Sequence, residues 1–169
     1  MSISCDSVRG SSLLVCDVQG DYREATAEEI LVAARRVMAR KVRRGTAFTD
    51  PMVARDYLQV KLAMLEHEVF VVILLDTRHR LIEYVELFRG TIDGTEVHPR
   101  EVAKAALAAN AAAVIVAHNH PSGVAEPSAA DRALTARLKQ ALALVDVRVL
   151  DHFIVAGADV MSFAQRGWL

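Results

Sequence analysis

Within AHNHPSGVAEPSAADRALT, residues 117–135, His118 and His120 stand one residue apart at the end of an apolar run, and Asp131 follows across a proline-bounded loop. Residues i and i+2 of an extended strand face the same way, with Cα atoms roughly 6.5 Å apart. Two imidazoles so placed can aim ring nitrogens at one point about 2.1 Å from each, the distance at which histidine binds zinc. A catalytic zinc takes three protein ligands and keeps a further position for water, whose pKa it lowers toward neutrality for hydrolysis. Asp131 is the natural third ligand, because PSGVAEP can fold the chain back and the first turn of a following helix can point the carboxylate at the strand end. The same residues have a plainer use. Ser128 and Asp131 form a Ser-x-x-acid helix start, so on residue types alone a metal site and an ordinary cap stand as alternatives.

Such a constellation needs a strand, a turn and a helix in that order, and the flanking sequence supplies them. AAVIVAHNH (112–120) reads as a buried strand, with Asn119 facing away from the two histidines, and a helix begins at Ser128 and runs through DRALTARLKQALALV. Upstream, SLLVCDV (12–18) reads as a short strand. TAEEILVAARRVMARKVRRG (26–45) reads as a helix with a Thr26/Glu29 capping box and a terminating Gly45. DPMVARDYLQVKLAMLEHE (50–68) opens a second helix, capped by Asp50 with Pro51 at its first position. EVFVVILLD (68–76) has the length and β-branched content of a strand, RLIEYVELFRGT (80–91) of one or two more, and HPREVAKAALAANA (98–111) of a helix. VRVLDHFIVAG (147–157) is a strand region carrying Asp151 and His152, read as a buried pair satisfied by backbone groups rather than as supports of a metal site. This order predicts an α/β sandwich with a mixed sheet.

The chain of 169 residues is 53% hydrophobic and 24% charged, which predicts a packed globule rather than a disordered segment. Lys and Arg total 20 against 21 Asp and Glu, so nothing in the overall balance favours a polyanion. The local exception is ARRVMARKVRRG, where Arg35, Arg36, Arg40, Lys41, Arg43 and Arg44 crowd one segment. A solvated helix face is the first reading of that run, and a weak DNA contact the second. Cys5 and Cys16 are too few for a disulfide framework or a four-thiolate zinc site. With no membrane-length apolar run and no secretory pattern at the start, a reducing, cytoplasmic setting is expected.

HNHPSGVAEPSAAD resembles the JAMM motif of the JAB/MPN metalloprotease superfamily: His-x-His-Pro, seven residues ending in Ser, two more, then Asp. EHEVFVVILLD, LFRGTIDGTEVHPREV, HNHPSG and LVDVRVLDHFIV are similar to its RadC-like branch, over about residues 46–169. The resemblance implies a cytidine deaminase-like (JAB/MPN) α-β-α sandwich with a mixed β-sheet; the residues before it, 1–45, read as a mainly helical extension. It implies zinc (Zn2+) held by His118, His120 and Asp131, and Glu68 as the general base, with Glu66 two residues away as its competitor. Ser128 matches the serine that stabilises the oxyanion. The implied activity is zinc-dependent hydrolysis of a peptide or isopeptide bond by a metal-activated water. Longer RadC proteins begin with a helix-hairpin-helix module, and this chain, lacking a Gly-rich hairpin there, reads as a short form. A DNA-associated RadC-like accessory protein, with a structural or non-peptidolytic metal, is the alternative. A zinc nucleobase deaminase needs His-x-Glu and Pro-Cys-x-x-Cys, and neither cysteine here lies near the histidines.

Overall fold

The computed structural model describes residues 13–16, 19–90 and 97–169. Cys5, both ends of the 12–18 strand, Thr91 of the 80–91 strand and the TIDGTE part of the RadC-like segment lie outside the described residues. In chain order the elements are β1 (Leu14–Cys16), β2 (Tyr22–Glu24), α1 (Ala27–Lys41), α2 (Pro51–Leu62), β3 (Val69–Leu75), β4 (Leu81–Arg89), α3 (Pro99–Ala108), β5 (Ala113–Asn119), α4 (Ala129–Ala143), β6 (Arg148–Ala156) and β7 (Asp159–Ser162).

β3 to β7 form one five-stranded sheet in the order β4-β3-β5-β6-β7. Only β5 and β6 pair in parallel, with α4 as their crossover, so the sheet is mixed. VFVVILL and AVIVA are apolar without alternation because the two central strands are buried on both faces. On one face Val71, Ile73, Ile115, Ala117 and Phe153 pack under Ala54, Tyr57, Leu58 and Leu62 of α2. On the other, Phe70, Val72, Val114 and Val116 pack under Val102 and Ala106 of α3 and Leu138 and Leu142 of α4. The result is an α-β-α sandwich, as the resemblance implies, built on the mixed sheet that the element order predicts.

Several boundaries move, each for a local reason. α1 carries the expected capping box, with Thr26 accepting from Glu29 N and the Glu29 carboxylate accepting from Thr26 N. It ends at Lys41 rather than at Gly45, because Val42 turns extended into the core and Thr46 Oγ1 takes over the end, accepting from Arg43 N and donating to Lys41 O. Asp50 caps α2 by accepting from Met52 N at 2.9 Å. That helix stops at Leu62 rather than at 68, leaving a short connection before β3 that carries Glu66 and Glu68. The described part of the 80–91 region holds a single strand, Leu81–Arg89, with register irregularities opposite Phe70/Val71 and Leu74/Leu75. β2 was not expected, because its three residues are all exposed and show no apolar alternation. β7 was not expected either, since the strand region read from the sequence stops at Gly157; it follows a turn in which Gly157 takes φ +59°, a conformation that favours glycine.

Candidate metal centre

The site lies where β5 ends and α4 begins. His118 is buried to 1% exposure, its ring stacked against Phe70 at 6.3 Å between centroids. His120 sits just past the strand and is half-buried. Gly123, at φ +80°, turns the chain there and donates its N–H to His120 O, beginning the loop that returns to α4. At the start of that helix the Ser128/Asp131 capping box forms as expected. Ser128 Oγ accepts from Asp131 N at 3.1 Å, and Asp131 Oδ2 accepts from Ser128 N at 2.7 Å.

The cap and the metal reading are not alternatives, because one carboxylate serves both. Asp131 Oδ1 lies 3.2 Å from His118 Nε2, Oδ2 lies 3.7 Å from His120 Nε2, and the two Nε2 atoms are 2.9 Å apart. Ligands about 2.0–2.1 Å from a tetrahedral zinc stand roughly 3.3 Å from one another, a value that these separations bracket. Two imidazoles and a carboxylate are also a normal zinc donor set. Among the described residues, His118, His120 and Asp131 are the group able to hold a metal ion. Burial alone would raise the Asp131 pKa, but the hydrogen bond and charge of His118 and the hydrogen bonds from Ser128 outweigh it and hold the carboxyl well below its ordinary range.

The ring nitrogens facing away from this point are also engaged. His120 Nδ1 lies 2.7 Å from Val124 O. His118 Nδ1 lies 2.9 Å from His152 Nε2, and His152 Nδ1 lies 2.6 Å from Thr135 Oγ1. His152 is wholly buried, stacked on Phe163 at 4.8 Å, and desolvation pushes its pKa well below the usual histidine range. This corrects the reading of Asp151 and His152 as one backbone-satisfied pair. Alternation along β6 sends them to opposite faces. Asp151 does accept from His152 N, Ala164 N and Ser162 Oγ, whereas His152 turns toward His118. The usable signals were the helical i, i+4 spacing of Asp131 and Thr135 and a lone histidine in an apolar strand; the parallel register, with Val116 opposite His152, joins them.

Glu68 and Ser128 fare differently. Phe70 is the register partner of His118, and Glu68 stands two residues before it, just outside β3, where its main-chain oxygen accepts from Gly90 N at 2.8 Å. Glu68 is half-buried, while Glu66 is exposed. Both belong to the α2–β3 connection, which Asn119 holds from the opposite face. Its Oδ1 accepts from Val69 N at 2.8 Å, and its Nδ2 donates to His67 O at 3.0 Å and Leu65 O at 3.3 Å. Loop geometry was the expected part for Asn119, and these three bonds define it. Ser128 Oγ donates its proton to Asp131 Oδ2 at 2.6 Å, so it reaches an oxyanion only by rotating that proton away.

The basic run is elsewhere. Arg36, Arg40, Lys41, Arg43 and Arg44 are exposed and Arg35 is half-buried. The loop after α1 is pinned to the β3–β4 turn by Gly45 N to Leu81 O and Phe48 N to His79 O. That turn is at the sheet end where β5 begins, since Leu75 pairs with Ala113. The seven residues of β5 separate it from the histidines by roughly 20 Å. None of the described helices is long and apolar enough to cross a membrane.

The RadC-like JAB domain matches residues 48–168 of this chain. A UPF0758 protein of Methylibium petroleiphilum is 58% identical over 150 residues, covering 89% of this chain and 68% of its own length. A UPF0758 protein of Leptothrix cholodnii is 55% identical over the same span, and one of Shewanella amazonensis 52% over 157 residues, covering 92% of this chain and 70% of that protein. With a sandwich of the JAB/MPN type, a His-His-Asp group at its sheet end and a domain match over most of its length, the chain belongs to the RadC-like JAB domain family.

Proposed function

We propose that the protein is a zinc-dependent hydrolase of the JAB type that cleaves a peptide or isopeptide bond in the cytoplasm, with residues 46–169 as the catalytic unit and 1–45 as an extension. The convergence of His118 Nε2, His120 Nε2 and Asp131 Oδ1 carries this reading. Bound there, the ion supplies Lewis acidity, lowering the pKa of water and polarising the substrate carbonyl. Glu68, two residues before the register partner of His118, accepts the proton of the attacking water and returns it to the leaving amine. Ser128, once its proton swings away from Asp131, donates to the developing oxyanion.

Metal analysis of protein purified without chelator is expected to find close to one zinc per chain, largely lost in His120→Ala. A peptide and isopeptide library should then yield a cleaved substrate. Glu68→Gln should keep its zinc and lose roughly 10²–10⁴ in rate, because Gln keeps the shape of Glu without accepting a proton. Glu66→Gln should cleave normally. A zinc-loaded Glu68→Gln that cleaves at the wild-type rate while Glu66→Gln is dead would move the base by one strand alternation.

A second reading, a DNA-associated accessory protein, draws support from the exposed basic run. It predicts DNA affinity that falls steeply with salt and drops when Arg43 and Arg44 are both changed to Ala. Undetectable or salt-insensitive binding removes it.

A further inference from the structure

We propose that Thr135 and His152 are positioning residues, forming a hydrogen-bond chain of fixed polarity that locks His118 in its Nδ1–H tautomer and leaves the Nε2 lone pair for the metal. The inference rests on the metal-centre reading above. Its polarity is set by one atom that cannot donate. Thr135 Oγ1 lies 2.6 Å from the main-chain oxygen of Asp131 and 2.6 Å from His152 Nδ1. A carbonyl only accepts and a hydroxyl carries a single proton, so Thr135 gives its proton to Asp131 O. The contact with His152 then requires the proton to be on Nδ1. A neutral ring that donates through Nδ1 accepts at Nε2, and the atom opposite that Nε2 is His118 Nδ1 at 2.9 Å. His118 therefore carries a proton on Nδ1, which leaves Nε2, the nitrogen facing His120 Nε2 and Asp131 Oδ1, as the one that can offer a lone pair to a metal.

The chain starts on the Asp131 main chain and ends beside the Asp131 carboxylate, so helix α4 fixes one ligand directly and another through its own backbone. The rings have little freedom to swing. His118 is stacked on Phe70 and His152 on Phe163, each with 16° between the ring planes, and His152 is fully enclosed. His120 needs no such chain, because Val124 O fixes its tautomer directly. Supports behind metal-binding histidines typically contribute 10–100-fold in affinity.

The test uses the full chain and zinc itself. Zinc affinity by chelator competition should fall roughly 10–100-fold in Thr135→Val, which keeps the branched shape and removes the hydroxyl. Thr135→Ser, which restores the hydroxyl without the methyl, should stay within about threefold of wild type. Nitrogen-15 NMR of the zinc-loaded wild type should show His152 neutral and protonated on Nδ1, and this readout needs no variant to fold. Wild-type affinity in Thr135→Val, an equal loss in Thr135→Ser, or a His152 protonated on Nε2 would each overturn the chain. A wild type that binds no zinc would instead sink the metal-centre reading, and the proposal with it.

Discussion

His118 and His120 belong to one motif, yet they are held in place by opposite means. His120, with a side-chain exposure of 18%, is oriented by a carbonyl four residues further along its own loop. His118, at 2%, is oriented by side chains from β3, β6 and α4, brought together only by the finished fold. Local support is robust and inexpensive, because a lost bond at a solvent-accessible site is replaced by water. Buried support ties the candidate ligand to the core, because a polar atom there that loses a partner has no solvent to replace it. Metal binding and folding should therefore be separable at His120 and coupled at His118.

The largest expected effect follows directly. His118→Ala and His120→Ala should both lose zinc, but the metal-free proteins should differ in urea denaturation. His118→Ala removes the ring against Phe70 and strands His152 Nε2, costing about 2–4 kcal/mol. His120→Ala should cost less than about 1 kcal/mol. Equal losses would break the contrast, since the two sites would then be equally embedded in the core.

Asn119 sharpens the comparison from the other face of the strand. It holds the α2–β3 connection through three hydrogen bonds spanning about 50 positions in sequence and so does for the segment carrying Glu66 and Glu68 what His152 does for His118. Asn119→Ala leaves Val69 N and two carbonyls unpaired, at a cost of about 1–3 kcal/mol. Hydrogen exchange should speed up at residues 65–69 while zinc affinity stays unchanged. Unaltered exchange would mean that the connection holds its shape without the amide.

How much of this was readable in advance depended on how local the interactions are. β3 and β5 announce themselves as unbroken apolar runs, and the Thr26, Asp50 and Ser128 caps satisfy nearby backbone groups, so spacing alone finds them. The Ser128/Asp131 pattern was legible as cap and as candidate ligand; only the geometry reveals that one carboxylate is placed for both. The His118–His152 contact was not legible, because it depends on the parallel register of β5 against β6, which no periodicity reports. β2 and β7 were missed because a strand of three or four residues, exposed or attached to its neighbour by a tight turn, leaves little pattern.

The smallest expected effect contrasts two carboxylates near the centre under acid. Asp131, held below its ordinary pKa, binds fewer protons folded than unfolded, so it stabilises the metal-free protein above the unfolded value of about 3.9. That contribution drains away as pH falls toward the lowered folded pKa. Asp151 runs the other way. Burial raises its pKa against the opposing hydrogen bonds from Ser162, Ala164 and His152, so its folded form holds the proton longer. Its contribution is complete below the unfolded pKa and is lost as pH rises through the raised folded value. Denaturation of chelator-treated protein between pH 3 and 6, in steps of about half a unit, should read both slopes. Asp131→Asn should flatten the acid-side loss, whereas Asp151→Asn should leave it in place and remove the opposing trend. If Asp131→Asn loses stability with falling pH just as the wild type does, the pairing of Asp131 with His118 is absent in the metal-free protein, and the candidate site is assembled by the ion rather than by the fold.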